Sequence, residues 1–399
     1  MSPFGYGTSA LIDGLEENRS AVRYMQGWDS YKGLRSLVAA PVEMKNERAI
    51  PRNKRRSMGV MSIFAVQAAA QSLADAGIAS SDLQRCRAGC VVGSTMGSAR
   101  SINEAFEAML PEKDLGQLGS SMFFKCMSHT AAANVAQYFG LNGCIMSTAA
   151  ACASALHALG VGYDLIRTGR QDILLCGGAE ELHPTVTGSF DVLFATSVAY
   201  NRTPQRTPRP FDRDRDGLVC GEGSGILVLE ELGHALKRNA RIYAEIAGFS
   251  TTGNSSHVSQ SNRDAMVRCM KEALEDAGAA PDDVDYINAH ATATPQGDKE
   301  EAGAILDVFG GSVPVSSLKG YIGHTLGASG AIELIASLLM MERSVIYPTR
   351  NLENIAPDCD GIMHVIEKTR RVIDMIAKNG FAFGGINVTL ICKRFIGVI

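Results

Sequence analysis

The sequence predicts an α/β fold built from two similar halves. Helical and extended hydrophobic patterns alternate along the 399 residues, which is typical of sheets covered by helices on both faces. The segment Leu73–Gly77 (LADAG) also recurs, 201 positions later, as Leu274–Gly278 (LEDAG). In both copies an amphipathic helix ends at a glycine and a short polar loop leads into an apolar strand, so a duplicated unit is predicted.

Apolar runs and the glycines that follow them predict the individual elements. One helical stripe covers Ile63–Leu73, and a second apolar helix covers Ala155–Ile166 and ends at Gly169. Short apolar or β-branched runs predict buried strands at Cys90–Gly93, Ile173–Cys176, Ile226–Leu229, Ile242–Phe249, Tyr286–Asn288 and Val388–Cys392. The join falls near Lys237–Arg241, which gives predicted halves of residues 1–239 and 240–399.

Composition and charge exclude several classes of function. The 38 Lys+Arg against 42 Asp+Glu give a formal charge of −4, whereas nucleic-acid binders carry a basic excess. With 46% apolar residues the chain can bury a large core. No apolar run reaches the ~18 residues of a membrane span. The N-terminal segment carries Asp13, Glu16 and Glu17, whereas a signal peptide has a basic start followed by an apolar run. We therefore expect a cytoplasmic protein without a nucleic-acid or membrane partner.

The ten cysteines predict neither a disulfide framework nor a metal site. Several lie in apolar runs as small buried hydrophobes, and the close pair Cys86 and Cys90 has no second pair at zinc spacing. Cys152 differs, because it stands among small residues directly before an apolar helix. There the helix dipole and free N–H groups favour the thiolate and lower the pKa of the thiol. An inert buried thiol is the alternative.

Three further segments carry groups suited to a site. His290 directly follows the strand Tyr286–Asn288, at the edge of the sheet where α/β proteins bind ligands. Lys319 and His324 lie in a glycine-rich helix start, where backbone can approach a ligand closely. The glycine-rich turn in Phe381–Asn387 precedes the last strand. Each segment taken alone also has a purely structural interpretation. His290 is then a core histidine, His324 is a loop histidine at a helix cap, and the glycine-rich turn is a plain hairpin.

Taken together and in this order, Cys152, His290, Lys319 with His324, and Phe383 before two glycines resemble the Cys-His-His condensing enzymes. These are the β-ketoacyl-[acyl-carrier-protein] synthases of the thiolase-like superfamily, and the resemblance is to the elongating type I and type II branch. It implies a thiolase-like duplicated fold with five layers, α-β-α-β-α. It also implies a decarboxylating Claisen condensation of an acyl thioester with malonyl-acyl-carrier protein, in fatty acid or related polyketide or polyene elongation. No cofactor is implied, because phosphopantetheine arrives on the partner.

The resemblance assigns catalytic roles to matching residues. Cys152 is the nucleophile, and its backbone N–H forms the oxyanion hole with that of Phe383. His290 and His324 act on the malonyl group. Lys319, supported by Glu333, sets the field around the histidines; the alternative for this pair is a structural salt bridge.

The resemblance also assigns a pocket and a docking surface. Thr292 and Thr294 match positions that bind the pantetheine arm. Phe381 and Phe383 match the acyl pocket and its gate. The basic run Arg52–Arg56 aligns with the docking region of the synthases, so Arg52 and Arg56 are the candidates for steering the acidic carrier protein; a solvated face is the alternative.

The chain departs from the family pattern around the pocket. The residues that the family motifs carry are replaced here by Ala150, Ala291, Ala293, Ala382 and Ile386, which leaves the acyl preference open. The segment after Met1 aligns beyond the strand that opens the family fold, so either the start is misassigned or the first sheet lacks a strand.

Two other functions and the assembly complete the expectations. A chain-length partner subunit is disfavoured because such subunits lose the nucleophile, and a Cys-His acyltransferase or hydrolase leaves the second histidine and Lys319 without a task. The stretch Cys144–Ser147 is a suitable edge strand, being short and largely apolar. We therefore expect a C2 dimer, either a homodimer or a ketosynthase heterodimer, with an interface above about 2,000 Å².

Overall fold

Two β-sheets form the framework of the molecule, whose computed structural model describes residues 1–255 and 257–397. Residues 398 and 399 of the predicted C-terminal half lie outside the described part. The strands, in chain order, are β1 (Arg23–Tyr24), β2 (Val38–Ala39), β3 (Ala88–Gly93), β4 (Ile145–Met146), β5 (Ile173–Glu180), β6 (Gly223–Glu230), β7 (Glu245–Gly253), β8 (Tyr286–Asn288), β9 (Pro314–Ser316), β10 (Val345–Ile346), β11 (Met363–His364), β12 (Thr369–Arg370), β13 (Met375–Ala382) and β14 (Ile386–Lys393).

Helices cover both sheets and fill the space between them. They are α1 (Gly7–Glu16), α2 (Arg52–Arg55), α3 (Val60–Ala76), α4 (Ser80–Leu83), α5 (Ala99–Met109), α6 (Met122–Cys126), α7 (Thr130–Phe139), α8 (Ser154–Arg167), α9 (Pro184–Asp191), α10 (Leu232–Lys237), α11 (Arg263–Ala277), α12 (Pro295–Phe309), α13 (Lys319–Ile322) and α14 (Ser329–Arg343). Within the described ranges, no helix is long and apolar enough to cross a membrane.

The two larger sheets repeat one topology. The order β4-β3-β5-β6 of the first sheet corresponds to β9-β8-β13-β14 within the second. In each set the first three strands are parallel and the fourth is antiparallel to its neighbour. The helices α3 and α11, which precede β3 and β8, both end at a glycine in the left-handed region, Gly77 at φ 65° and Gly278 at φ 62°. The recurring sequence segment therefore marks a structural repeat.

Five layers follow from where the apolar side chains meet. Helices α3 and α7 cover the outer face of the first sheet, and α11 and α12 cover that of the second. Helices α8 and α14 lie between the sheets, where Leu156 and Leu159 pack with Leu334 and with strand residues such as Leu390. Helix α14 and the N-terminal half of α8 are thus largely buried, and the predicted α-β-α-β-α arrangement is confirmed.

The predicted strands lie inside or on the observed ones, with one difference. The strand predicted at Ile242–Phe249 begins at Glu245, because Tyr243 and Ala244 first pack into the core around α14. In the second sheet this strand, β7, lies beside β14. Among the described residues no strand lies at the equivalent edge of β6, which lines a cavity of about 760 Å³ together with Met1.

Candidate active site

Cys152 lies where the chain enters the central helix α8. A turn of 3-10 helix, Ala151–Ala153, precedes this helix, and Ala151 adopts a left-handed backbone with φ 46°. A left-handed alanine costs about 1 kcal/mol or more, so the surrounding packing must hold this turn in place. Ser154 contributes by accepting a hydrogen bond from the Ala150 N–H at 2.9 Å and donating one to the Ala151 carbonyl at 2.7 Å. The thiol is thus presented from a fixed turn.

The resting thiol of Cys152 is protonated. Only 7% of the residue is exposed. Burial raises the pKa of the thiol to about 12, although the nearby Lys319 ammonium lowers it. The expectation of a lowered pKa is therefore wrong for the free enzyme, because desolvation outweighs the Lys319 ammonium and the backbone N–H of Cys152. Nucleophilic attack requires a base beside the sulfur.

His290 is held in a loop that the carboxylates of α12 fix. The loop follows β8, and the Glu301 carboxylate accepts the N–H groups of His290 at 2.7 Å and Ala291 at 2.6 Å. The Asp298 carboxylate accepts the Thr292 N–H at 3.0 Å. Burial lowers the pKa of His290 well below its ordinary value, and Lys319 lowers it further. The imidazole is therefore neutral near pH 7.

His324 belongs to a chain of polar contacts that ends at two lysines. Its Nδ1 lies 3.3 Å from the Ser329 hydroxyl, and that hydroxyl donates to Glu333 Oε1 at 2.8 Å. Because Glu333 accepts the hydroxyl proton, Ser329 accepts from His324 Nδ1–H, which leaves a lone pair on Nε2. That nitrogen is buried and bonds to no described protein atom. Burial, aided by Lys319, holds the pKa of His324 well below its ordinary value.

Lys319 and Glu333 form a fully buried ion pair beside the histidines. Lys319 Nζ lies 2.7 Å from Glu333 Oε1, and the two side chains are 0% and 1% exposed. Burial alone would raise the pKa of Glu333, but the ammonium groups of Lys319 and Lys378 outweigh it and bring the pKa to about 2. Glu333 is therefore ionised at neutral pH, as the role of supporting Lys319 requires.

The thiol and the two imidazoles converge on one cavity. Cys152 Sγ and one ring nitrogen from each of His290 and His324 all lie within 4.8 Å of one another. The cavity holds about 40 Å³ and also contains the predicted pocket residues, Thr292, Thr294, Phe381 and Phe383. Among the described residues, the Cys-His-His trio is also the one cluster whose donors could meet at a metal ion, as thiolate and imidazole do at zinc.

Two aromatic side chains border this cavity on the β13–β14 hairpin. The Phe381 ring lies 6.4 Å from the His290 ring, and the Phe383 ring lies 6.0 Å from that of Phe190, between ring centroids. Gly384 and Gly385 follow with φ 87° and 74°, so the hairpin turns tightly after Phe383. Opposite them, the hydroxyls of Thr292 and Thr294 lie 3.1 Å apart.

Sequence reasoning missed three buried charged residues of the site, namely Asp298, Glu301 and Lys378. The carboxylates lie on the first turns of α12 and bind the His290 loop. Lys378 interrupts the otherwise uncharged strand β13 and donates to Glu333 Oε2 at 2.6 Å. A charged residue inside an apolar strand was the available signal for Lys378.

The basic candidates do not line the cavity. Arg52 and Arg56 are exposed, at the start of α2 and just beyond its end. The two basic side chains between them already have partners within the protein. Lys54 donates to the Gln137 carbonyl at 3.0 Å, and Arg55 lies 3.8 Å from Glu47. Within the described part of the chain, Arg52 and Arg56 form no ion pair, which leaves them available to a partner.

A buried cysteine and two neutral histidines, in a duplicated five-layer fold, define a Cys-His-His condensing enzyme of thiolase-like fold. The family model "Beta-ketoacyl synthase, N-terminal domain" matches residues 1–235, and "Beta-ketoacyl synthase, C-terminal domain" matches residues 243–353. The chain belongs to the β-ketoacyl synthase family.

Individual relatives agree over the full length. The curated 3-oxoacyl-[acyl-carrier-protein] synthase 1 of Haemophilus influenzae is 35% identical over 399 residues, which are 100% of this chain and 97% of the relative. A solved β-ketoacyl synthase from Burkholderia phymatum has a TM-score of 0.95 and 41% identity, covering 99% of this chain and 97% of its own. A structure of a type II polyketide acyl-carrier protein in complex with its ketosynthase also matches. Its matching chain has a TM-score of 0.90 and 30% identity, covering 99% of this chain and 97% of its own length. The predicted enzyme class, a β-ketoacyl-[acyl-carrier-protein] synthase, is confirmed.

Proposed function

We propose that this synthase condenses a Cys152-bound acyl group with malonyl-acyl-carrier protein. The observation that carries the proposal is the convergence of one thiol and two neutral imidazoles within 4.8 Å in a buried cavity. A hydrolase or simple acyltransferase needs one histidine beside the cysteine. The second histidine, together with the buried Lys319–Glu333 pair, supports a step in which negative charge develops on a second substrate.

In the first half-reaction, an acyl group moves from the carrier thioester to Cys152. The Cys152 proton passes to an imidazole, for which the lone pair on His324 Nε2 is suited. The sulfur attacks the acyl carbonyl, and the oxyanion is held by the N–H groups of Cys152 and Phe383. The bond to the carrier sulfur then breaks, and the imidazole returns the proton to that sulfur. Both histidines end the step neutral.

In the second half-reaction, malonyl-carrier protein enters the same cavity. The bond from the α-carbon to the carboxylate breaks, CO₂ leaves, and the electron pair forms an enolate whose oxygen accepts hydrogen bonds from His290 and His324. His324 donates in this step as its Nε2–H tautomer, in which Nδ1 accepts the hydrogen bond of the Ser329 hydroxyl in place of Glu333. The α-carbon attacks the acyl thioester, the Cys152 carbon–sulfur bond breaks, and the sulfur takes up one proton. Thr292 and Thr294 hold the pantetheine arm, and no bound cofactor takes part.

The proposed partner is an acidic acyl-carrier protein. The related ketosynthase in complex with a carrier protein supports this class of partner. Exposed Arg52 and Arg56 give a positive surface that would steer an acidic domain and raise its association rate.

The proposed assembly is a C2 dimer formed at the edge of the first sheet. β4 is that edge, and its residues Ile145 and Met146 are 50% and 39% exposed. Further exposed apolar side chains lie on and near α5 and α6, namely Phe106, Leu110, Leu115, Phe123 and Phe124. An open edge strand and exposed apolar side chains are both unfavourable in water, which supports their burial by a second copy or a synthase-like partner.

One assay separates this function from its alternatives. Purified protein is given malonyl-acyl-carrier protein alone, and released CO₂ and acetyl-carrier protein are measured. A condensing enzyme releases CO₂, whereas a hydrolase frees malonate and leaves the carboxylate intact. A non-catalytic chain-length subunit does neither, so either of those results would overturn the proposal.

A further inference from the structure

Lys378 is a buried cation that the mechanism above does not use. It lies in β13 directly opposite Asn288 of β8, two residues before His290. Its side chain is 1% exposed, and Nζ donates to Glu333 Oε2 at 2.6 Å and to the Asn379 carbonyl at 2.9 Å. Glu333 is thereby held by one lysine on each oxygen.

A second lysine is not needed to neutralise Glu333, because Lys319 already pairs with it. Burying an additional ammonium is costly unless another charge compensates it. The compensating charge is Glu301, whose carboxylate accepts the His290 N–H at 2.7 Å and the Asn379 side-chain amide at 3.3 Å. Burial raises the pKa of Glu301, while the N–H groups of His290 and Ala291 and the two ammonium groups oppose this shift. With both carboxylates ionised, Lys319 and Lys378 balance Glu333 and Glu301.

The balance matters because the malonyl carboxylate and the enolate are both anions. Without Lys378, the buried set would carry one uncompensated negative charge beside them, and like charges in a low-dielectric site repel strongly. The titratable groups that face Lys378 from the surrounding elements are Glu333 on α14, Lys319 on α13, Glu301 on α12, and the imidazoles of His290 and His324.

We propose that Lys378 is a positioning residue for malonyl decarboxylation: it cancels the negative charge of Glu301 beside the reacting anion, while Lys319 and Ser329 hold the Oε1 atom of Glu333 independently of it. The inference rests on the proposed function. It concerns the second half-reaction only, because acyl transfer to Cys152 brings no substrate carboxylate into the cavity.

The test is Lys378→Met, which keeps an unbranched side chain one atom shorter and removes its charge. The kcat for malonyl-carrier protein decarboxylation should fall about 10–100-fold, while formation of the acyl-enzyme changes less than about threefold. The matched control is Lys393→Met, which removes a half-exposed lysine 3.2 Å from Glu245 at the end of the adjacent strand β14. The control should leave both half-reactions unchanged.

The pH profile gives a readout that a merely structural lysine would not move. Burial lowers the pKa of Lys378 to about 8, although Glu333 opposes this shift. The ammonium is charged below that pH, so decarboxylation by the unmodified enzyme should fall as pH rises through about 8. Lys378→Met should lack this fall. Lys378→Arg should also lack it, since a guanidinium keeps its proton throughout.

Each result decides between the possibilities. A folded Lys378→Met enzyme with the native decarboxylation rate and pH profile would overturn the proposal. If that variant does not fold, an unmodified enzyme without a decline near pH 8, or a Lys378→Arg enzyme that retains it, overturns the proposal equally. If the unmodified, folded enzyme releases no CO₂ at all, the proposed function itself fails, which is distinguishable from a failure of Lys378 alone.

Discussion

His290 and His324 meet edge to face, with ring centroids 5.2 Å apart and ring planes at 84°. Two imidazolium ions could not occupy this buried position together, and desolvation with the Lys319 ammonium lowers the pKa of both rings. A neutral pair offers both donors and acceptors to one substrate. Acid–base chemistry on the malonyl thioester therefore depends on burial as much as on the residue type.

His290 is needed for decarboxylation rather than for acylation, whereas His324, the proposed base for Cys152, is needed for both. His290→Ala should retain acyl loading of Cys152 but lose malonyl-carrier protein decarboxylation by at least about 10², and His324→Ala should lose both activities by about that factor. His234→Ala, which removes a histidine paired with Glu230 on the surface helix α10, is the control. CO₂ release and intact-protein mass report the two steps, and normal decarboxylation in either active-site variant would make that histidine structural.

The Glu333 carboxylate should stabilise the fold at neutral pH. Glu333→Gln removes the carboxylate that bonds both buried ammonium groups and should lower the free energy of unfolding by about 3–5 kcal/mol. The exposed counterpart Glu245→Gln should change it by no more than about 1 kcal/mol. Denaturant unfolding at one protein concentration measures both.

The same carboxylate sets a pH dependence with a defined sign. Its pKa is about 2 when folded against an ordinary 4.5, lowered by the two lysines against the effect of burial. The stabilisation is complete above about pH 4.5 and is lost as pH falls towards 2. The stability difference between the native chain and Glu333→Gln should therefore shrink over that interval; a constant difference would contradict the assigned pKa.

Carrier-protein docking should depend on charge at Arg52 and Arg56. The double reversal Arg52→Glu with Arg56→Glu should raise the KM for carrier-bound substrates about tenfold at low salt, with kcat unchanged. The increase should diminish at high ionic strength, since screening weakens steering. The control is Arg170→Glu, which reverses the charge of an exposed arginine outside the Arg52–Arg56 run. Equal KM values for the two variants would exclude the Arg52–Arg56 run as the docking surface.

The exposed edge at β4 should be an interface. Light scattering at micromolar concentration should give twice the chain mass, for a homodimer or for a pair with a synthase-like chain. Ile145→Asp should prevent this association by placing a charge in the interface, whereas Val372→Asp, at another exposed apolar residue, should not. A stable, active monomer of the native chain would refute the proposal.

The architecture could be predicted from the sequence, because buried strands appear as short apolar runs and helices end at recognisable glycines. Gly77 and Gly278 marked the repeat, and the order of Cys152, His290 and His324 identified the family. The pKa of Cys152 was not predictable in this way, because desolvation depends on the closed cavity rather than on the helix start. Lys378 was missed because its partner, Glu333, lies 45 positions away in the chain and meets it only in the folded core.

The most direct test of condensation through Cys152 is the mass of the product. The native chain and Cys152→Ala are each incubated with a panel of acyl-carrier proteins and malonyl-carrier protein, and intact-protein mass spectrometry follows both proteins. We expect an acyl adduct that maps to Cys152 and a β-ketoacyl-carrier protein two carbons longer than the primer, neither of which forms with Cys152→Ala. An adduct on another cysteine, or a lengthened product from Cys152→Ala, would contradict the account.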